Sequence, residues 1–216
     1  MFKDGNTAVE ILLADERTWL EFSLIVGNGW KPPVKPGIKT LTPFVANNQA
    51  WSKTVTAILG ELNSSTDFIR SIKIMGHGAG GEVTCGTTLK FSDVVSINEF
   101  KRLQTYCSPA VTVVHIVGCE AAADGACLPG TLASAPGLPL CLGPFSGDVA
   151  KPGYLLLRRL ADAINAPVTA SPWKQAFVDN RNGWGVFGAR VTVGPGGGWN
   201  YNPAGANGQT RVQFGP

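Results

Sequence analysis

The chain has 216 residues, 44% hydrophobic and 15% charged, with a formal net charge of +3 and a pI near 8.6. That length and apolar content suffice for a substantial core in one domain, and the mild, scattered basic charge offers no polycation arm and so does not signal nucleic acid. No apolar stretch approaches a membrane span, and Met1-Phe2-Lys3-Asp4-Gly5-Asn6 lacks the basic-then-apolar pattern of a signal peptide. The expectation is a soluble protein, cytoplasmic where it is made, with two routes left open: a piece of something larger, or export without a signal.

A first core strand is expected over Thr7 to Ala14, where Val9-Glu10-Ile11-Leu12-Leu13 forms an apolar run. Residues 16–26 are compatible with a helix or a second strand, and a Gly- and Pro-containing loop runs from Asn28 to Gly37. From Phe44 to Leu62 the apolar positions Val45, Trp51, Val55, Ile58, Leu59 and Leu62 recur at helical spacing, and Asn63-Ser64-Ser65 marks the stop. Ser71-Ile72-Lys73-Ile74-Met75 is the next strand, and it runs into Gly76-His77-Gly78. Glu82 to Phe91 gives two short β runs hinged at Gly86, a hairpin beside the His loop.

Ser92 to Tyr106 predicts a helix whose stripe is Val94, Val95, Ile97, Phe100 and Leu103. The apolar run Val111 to Val117 then ends in Gly118-Cys119-Glu120. Residues 121–152 are rich in Ala, Gly and Pro and carry little periodicity, which marks a functional loop or a flexible linker. A helix follows over Gly153 to Asn165 with Leu155, Leu156, Leu160 and Ile164 inward, then a strand over Ala166 to Ser171. Lys174 to Phe177 and Trp184 to Phe187 form a hairpin around Asp179-Asn180-Arg181-Asn182-Gly183. One domain over 1–193 is expected, followed by a loose Gly- and Asn-rich tail over 194–216.

The two runs that end at His77 and Cys119 carry the chemistry. Strand, crossover helix and strand favour a parallel pair with a right-handed crossover, which brings both residues to the carboxyl-terminal edge of one sheet. A nearby imidazole raises the thiolate fraction of a cysteine and can later protonate a leaving amine. Cys119 is therefore the candidate nucleophile and His77 the candidate base and acid. Backbone N–H groups near Gly78 and Cys119 are the candidate oxyanion hole, because glycine lets the main chain approach a carbonyl. The five cysteines, at 85, 107, 119, 127 and 141, show no metal-ligand spacing, so no metal site is expected. Cys85, Cys107, Cys127 and Cys141 read as structural thiols, with Cys127 and Cys141, which flank a Pro- and Gly-rich loop, open to bridging in an oxidising compartment.

Ile74-Met75-Gly76-His77-Gly78 and Ile116-Val117-Gly118-Cys119 resemble the two catalytic motifs of the caspase-like (clan CD) cysteine peptidases. The likeness is closest to the self-cleaving cysteine protease domain of large bacterial toxins and covers roughly residues 68 to 190. A bacterial domain of unassigned function from adhesin-like proteins has similar wording. The resemblance implies an α/β fold with a mostly parallel sheet, helices on both faces and short β-hairpins at the active-site edge. It implies a Cys–His dyad that cleaves a protein or peptide, its own chain included, within a bacterial toxin or effector. It requires no cofactor, but the toxin domains hold inositol hexakisphosphate with basic residues; the candidates here are Lys174, Arg181 and Arg190, with Arg158 and Arg159 nearby in sequence. Each assignment has a plainer rival. Cys119 could be a buried small hydrophobe, the arginines a solvated face, and the whole a caspase-like binding or structural module without turnover. His115, the rival base, lies inside its strand and is expected to be a satisfied core or edge histidine.

Overall fold

The computed structural model describes residues 6–20, 35–118, 121–124, 145–172, 177–178, 184–187, 190–202 and 211–214. The strands are β1 (Thr7–Ala14), β2 (Ile38–Leu41), β3 (Asp67–Met75), β4 (His77–Ala79), β5 (Glu82–Cys85), β6 (Thr87–Lys90), β7 (Val113–Val117), β8 (Val168–Ala170), β9 (Phe177–Val178), β10 (Trp184–Phe187), β11 (Arg190–Val193), β12 (Trp199–Asn202) and β13 (Arg211–Phe214). The helices are α1 (Trp51–Glu61), α2 (Val94–Glu99), which continues as a 3₁₀ helix (Phe100–Tyr106), and α3 (Pro152–Ile164). A central seven-stranded sheet has the order β12-β11-β8-β7-β3-β1-β2, and two three-stranded sheets, β4-β5-β6 and β13-β10-β9, accompany it. From β2 to β8 every pairing is parallel; β11 and β12 add an antiparallel edge. The protein is thus an α/β protein with a mostly parallel sheet, as the sequence predicts.

Apolar patterning explains the register. Val9, Ile11 and Leu13 of β1 are fully buried against the helices, while Glu10 faces the other way. In β3, Ile69, Ile72 and Ile74 are also fully buried, although 69 and 72 break the two-residue period of a strand. A bulge resolves this: Val9 pairs with Ile69 but Glu10 with Ser71, so Arg70 is looped out and exposed. α1 buries Trp51, Thr54, Val55 and Ile58, one face at helical spacing. The Trp51 ring packs 5.2 Å from that of Phe100, and its indole N–H donates to the Thr87 carbonyl at 3.1 Å.

Several expectations need correction. The helix proposed from Phe44 begins only at Trp51, and Phe44 is 68% exposed. Over 92–106 the buried residues are Ile97, Phe100 and Leu103, at the spacing of three that a 3₁₀ turn stacks on one side; Val94 and Val95 face solvent. In α3, Leu157 is buried in place of the half-buried Leu155. The tail expected to be loose supplies β12 and β13, paired antiparallel with β11 and β10. Residues 16–20 are helical, and the remainder of 16–26 lies outside the described residues, as do Lys174 to Ala176 and Asp179 to Gly183 of the expected hairpin. The helix α2 with its 3₁₀ continuation contacts both α1 and α3.

The opposite face of the sheet is polar. The register aligns Lys73 with His115 and His115 with Thr169, and the Thr169 and Thr192 hydroxyls lie 2.9 Å apart. Glu10 accepts from Lys35 at 3.1 Å and lies 3.6 Å from Lys73. Burial, together with the Arg190 and Lys73 charges, pushes the His115 imidazole down to about 4. The unfolded chain therefore takes up this proton near pH 6.5 and the folded one only near 4. Stability is expected to fall as pH drops from 6.5 to 4, by on the order of 3 kcal/mol, and His115→Asn is expected to flatten that slope in urea denaturation at stepped pH.

Candidate active site

His77 opens β4 directly after the end of β3 and is exposed. Main-chain contact laces its loop to the end of β7. The Gly76 N–H donates to the Val117 carbonyl at 3.1 Å. A Cβ built on Gly118 would lie 3.0 Å from the Gly76 carbonyl oxygen and 3.5 Å from the Gly78 nitrogen, so the residue that precedes Cys119 abuts the His loop. Gly76 itself has no room for a side chain, since a Cβ there would overlap the Thr84 carbonyl. These close approaches explain glycine at both positions better than turn geometry does.

Cys119 and Glu120 lie outside the described residues, but the chain beyond them is fixed. The Gly81 N–H, at the tip of the β4–β5 turn, donates to Ala121 at 3.2 Å, and the Ala122 N–H donates to the Ser171 carbonyl at 3.0 Å, just past β8. Ala121, Ala122 and Ala123 are fully buried, and Gly153 near the start of α3 packs against the carbonyls of Ala122 and Ala123. Asp124 accepts from the Ser146 N–H at 2.8 Å. His77, Gly78, Gly118 and the 121–124 segment thus gather where β3, β7 and β8 end, the edge the two motifs predict. Gly78 pairs with Val83 in the β4–β5 ladder, with its nitrogen toward Gly118.

The hairpin that carries His77 is held from the far side by residues the sequence reading passed over. Asp15, just past β1 and 1% exposed, accepts from the Gly86 N–H at 3.1 Å and from the Thr18 N–H and hydroxyl, both at 2.9 Å. Arg17 pairs with Asp15 and donates to the Gly86 carbonyl at 3.2 Å. Gly86 takes φ +74°, which favours glycine, and a Cβ there would meet the Gln49 carbonyl at 2.7 Å. Burial pushes the Asp15 carboxyl up, but hydrogen bonds from Thr18, Arg17 and Gly86 outweigh it and leave it below the usual range. The signal available in sequence was an Asp at the end of an apolar strand, three residues before a Thr, in the manner of a helix cap.

The other candidates separate. Cys85 and Cys107 are free thiols that burial pushes up to about 12, unsuited to attack, and Cys127 and Cys141 lie outside the described residues. His115 sits inside β7 on the polar face, away from the strand ends. Lys174 and Arg181 lie outside the described residues. Arg190, expected as a polyphosphate ligand or part of a solvated face, is instead 4% exposed at the start of β11, and its guanidinium nitrogens find no hydrogen-bond partner among the described residues; burial lowers it to about 10. Arg158 bonds Asp162, and Arg159 donates to the Phe91 carbonyl. Among the described residues no cluster of three or more His, Cys, Asp or Glu could hold a metal, and no helix is long and apolar enough to cross a membrane. Compared with known proteins, the chain matches no family model, no curated protein and no solved structure.

Gly76→Ala is expected to cost about 3 kcal/mol or more, because backbone must move to admit the methyl group. Gly60→Ala, at an open position inside α1, should instead gain up to about 1 kcal/mol. Paired urea titrations check both values.

Proposed function

We propose that the chain is a cysteine endopeptidase of the caspase-like type, with Cys119 as nucleophile and His77 as its base and acid. The observation that carries this reading is the lacing of the two motif-bearing strand ends, Gly76 to Val117 and Gly118 against Gly78. An exposed imidazole beginning a strand there can take the thiol proton as sulfur attacks the scissile carbonyl. The N–H groups of Gly78 and Cys119 would hold the oxyanion. As the tetrahedral species collapses, the C–N bond breaks and His77 returns the proton to the leaving amine. Water activated by the same imidazole then hydrolyses the thioester and restores the thiol.

The chain's own 121–152 region is the substrate segment we favour, as in a self-processing piece of a larger bacterial toxin or effector. Both flanks of 125–144 are anchored: Ala121 and Ala122 to Gly81 and Ser171, and Phe145 by its ring against Trp199 and Tyr154, at 5.1 and 6.4 Å. A cut between these anchors would leave both new ends held in one particle. Cys119→Ala is expected to abolish cleavage, while far-UV circular dichroism stays unchanged. In the unmodified chain, chloroacetamide should label Cys119 ahead of the other four cysteines, and His77→Ala should slow that labelling. Cleavage that persists in Cys119→Ala would overturn the mechanism, and a clean fold with no cleavage of any peptide would favour a binding module.

For the activator we propose a polyphosphate such as inositol hexakisphosphate, held by Arg190 and Lys73 from the polar sheet face together with Lys174 and Arg181. A buried guanidinium without hydrogen-bond partners is costly and is relieved by an anion. At a hundredfold excess over Kd the ligand should add about 2.7 kcal/mol, a rise of about 5–10 °C in Tm. Arg190→Met is expected to remove that rise and, without ligand, to leave Tm equal or higher.

A further inference from the structure

The β4-β5-β6 sheet is small, and the first residue of its edge strand is His77. Strands of only three and four residues make a short ladder, whose placement depends on what it docks against. Something outside must hold them. The chain of contacts is explicit. His77 pairs with Thr84, and the Thr84 carbonyl packs on Gly76, so β5 sets both the position of the residue before His77 and the register of His77. Two residues further on, Gly86 turns the chain from β5 into β6. Its N–H is taken by Asp15 and its carbonyl by Arg17, one and three residues past the end of β1. Thr87, the next residue, gives its N–H and hydroxyl to the Gln49 carbonyl at 3.1 and 3.2 Å and takes the Trp51 indole N–H.

We infer that Asp15, with Arg17, is a positioning residue for His77: Asp15 takes the Gly86 N–H, Arg17 donates to the Gly86 carbonyl, and together they set the hairpin that presents the imidazole. Asp15 acts through Gly86 and Thr84. No contact between its carboxylate and His77 is invoked. The inference rests on the peptidase reading of His77 and Cys119, and it gives the first third of the chain a part in that site.

The physical case is one of placement and chemistry. A carboxylate buried to 1% exposure is retained where it satisfies several donors at once, and Asp15 satisfies Thr18 twice, Arg17 and Gly86. A cap for residues 16–20 needs only the Thr18 bonds. The bond to Gly86 spans 71 positions of sequence and does nothing for that helix. Arg17 repeats the pattern, since it could neutralise Asp15 alone yet also reaches the Gly86 carbonyl across 69 positions.

The test reads the alkylation rate of Cys119 in the full chain as a function of pH, with iodoacetamide as probe and mass spectrometry as readout. Asp15→Asn is expected to slow labelling at pH 7 about tenfold and to move the profile toward an ordinary thiol with pKa about 8.5, since misplacing a catalytic group by a fraction of an ångström costs rates of this size. His77→Ala should slow it as much, and the double variant no further, because the two act through one group. Val9→Ala, a cavity near the start of β1 and so at the end of the sheet opposite the site, should lower stability and leave the labelling profile unchanged. Wild-type labelling in Asp15→Asn, where His77→Ala is slow, would overturn the positioning role and leave the peptidase reading intact. Wild-type labelling in His77→Ala would remove that reading and the positioning role with it. Should Asp15→Asn fail to fold, Arg17→Ala carries the test, as its side chain is 43% exposed. A slowing of about threefold is expected there, and an unchanged profile overturns the proposal.

Discussion

Everything proposed for this protein depends on how closely the ends of β3 and β7 approach. Two parallel strands lie about 4.8 Å apart along their length, and their side chains normally keep the loops beyond them from touching. Here the loops touch because Gly76 and Gly118 have no side chains: one donates its N–H to Val117, and the other sits against Gly76 and Gly78. A methyl group on Gly118 would crowd the Gly76 carbonyl, and one on Gly76 would displace the Thr84 carbonyl and with it the hairpin that carries His77. The apolar ladder below, Ile72 beside Val114 and Ile74 beside Ile116, holds the strands in register so that the two glycines meet.

The sheet divides its labour between faces. Toward the helices, the core side chains of β1, β3, β7, β8 and β11 are almost wholly excluded from water. Toward the other side run Glu10, Lys73, His115, Thr169, Thr192 and Arg190, an unusual set for strands buried in the middle of a parallel sheet. Apolar residues of like volume would stabilise that face more cheaply. Retention there of a buried guanidinium without a hydrogen-bond partner among the described residues is the feature that stability alone does not explain, and it motivates the anion proposal.

Much of this was legible in the sequence, and the reason is periodicity. The Val- and Ile-rich runs ending at Gly76 and Gly118 marked buried strands, and one intervening apolar stripe marked the crossover, so the parallel pair and the shared edge followed. The bulge at Arg70 was not legible, because the broken period of Ile69 and Ile72 makes sense only once β1 supplies the partner. Nor were β12 and β13, whose polar residues form edge strands through pairing with β11 and β10 rather than through their own hydrophobicity. The helix pattern starts too early because Val45 enters the core from a loop, bridged to Asp15 and with its side chain beside Gly86, not from a helix face. Asp15 escaped notice for the same reason: its partner Gly86 is far away in sequence, and a buried carboxylate announces itself only through what it bonds.

His77 and Cys119 are proposed to form one reactive pair at the sheet edge. The most direct measurement is the distance between the His77 imidazole and the Cys119 sulfur in a crystal structure of the chain bound to a peptide aldehyde. The account requires hydrogen-bond reach or one bridging water, with the hemithioacetal oxygen on the Gly78 and Cys119 N–H groups. A separation beyond about 7 Å, with sulfur left unreacted, would contradict it.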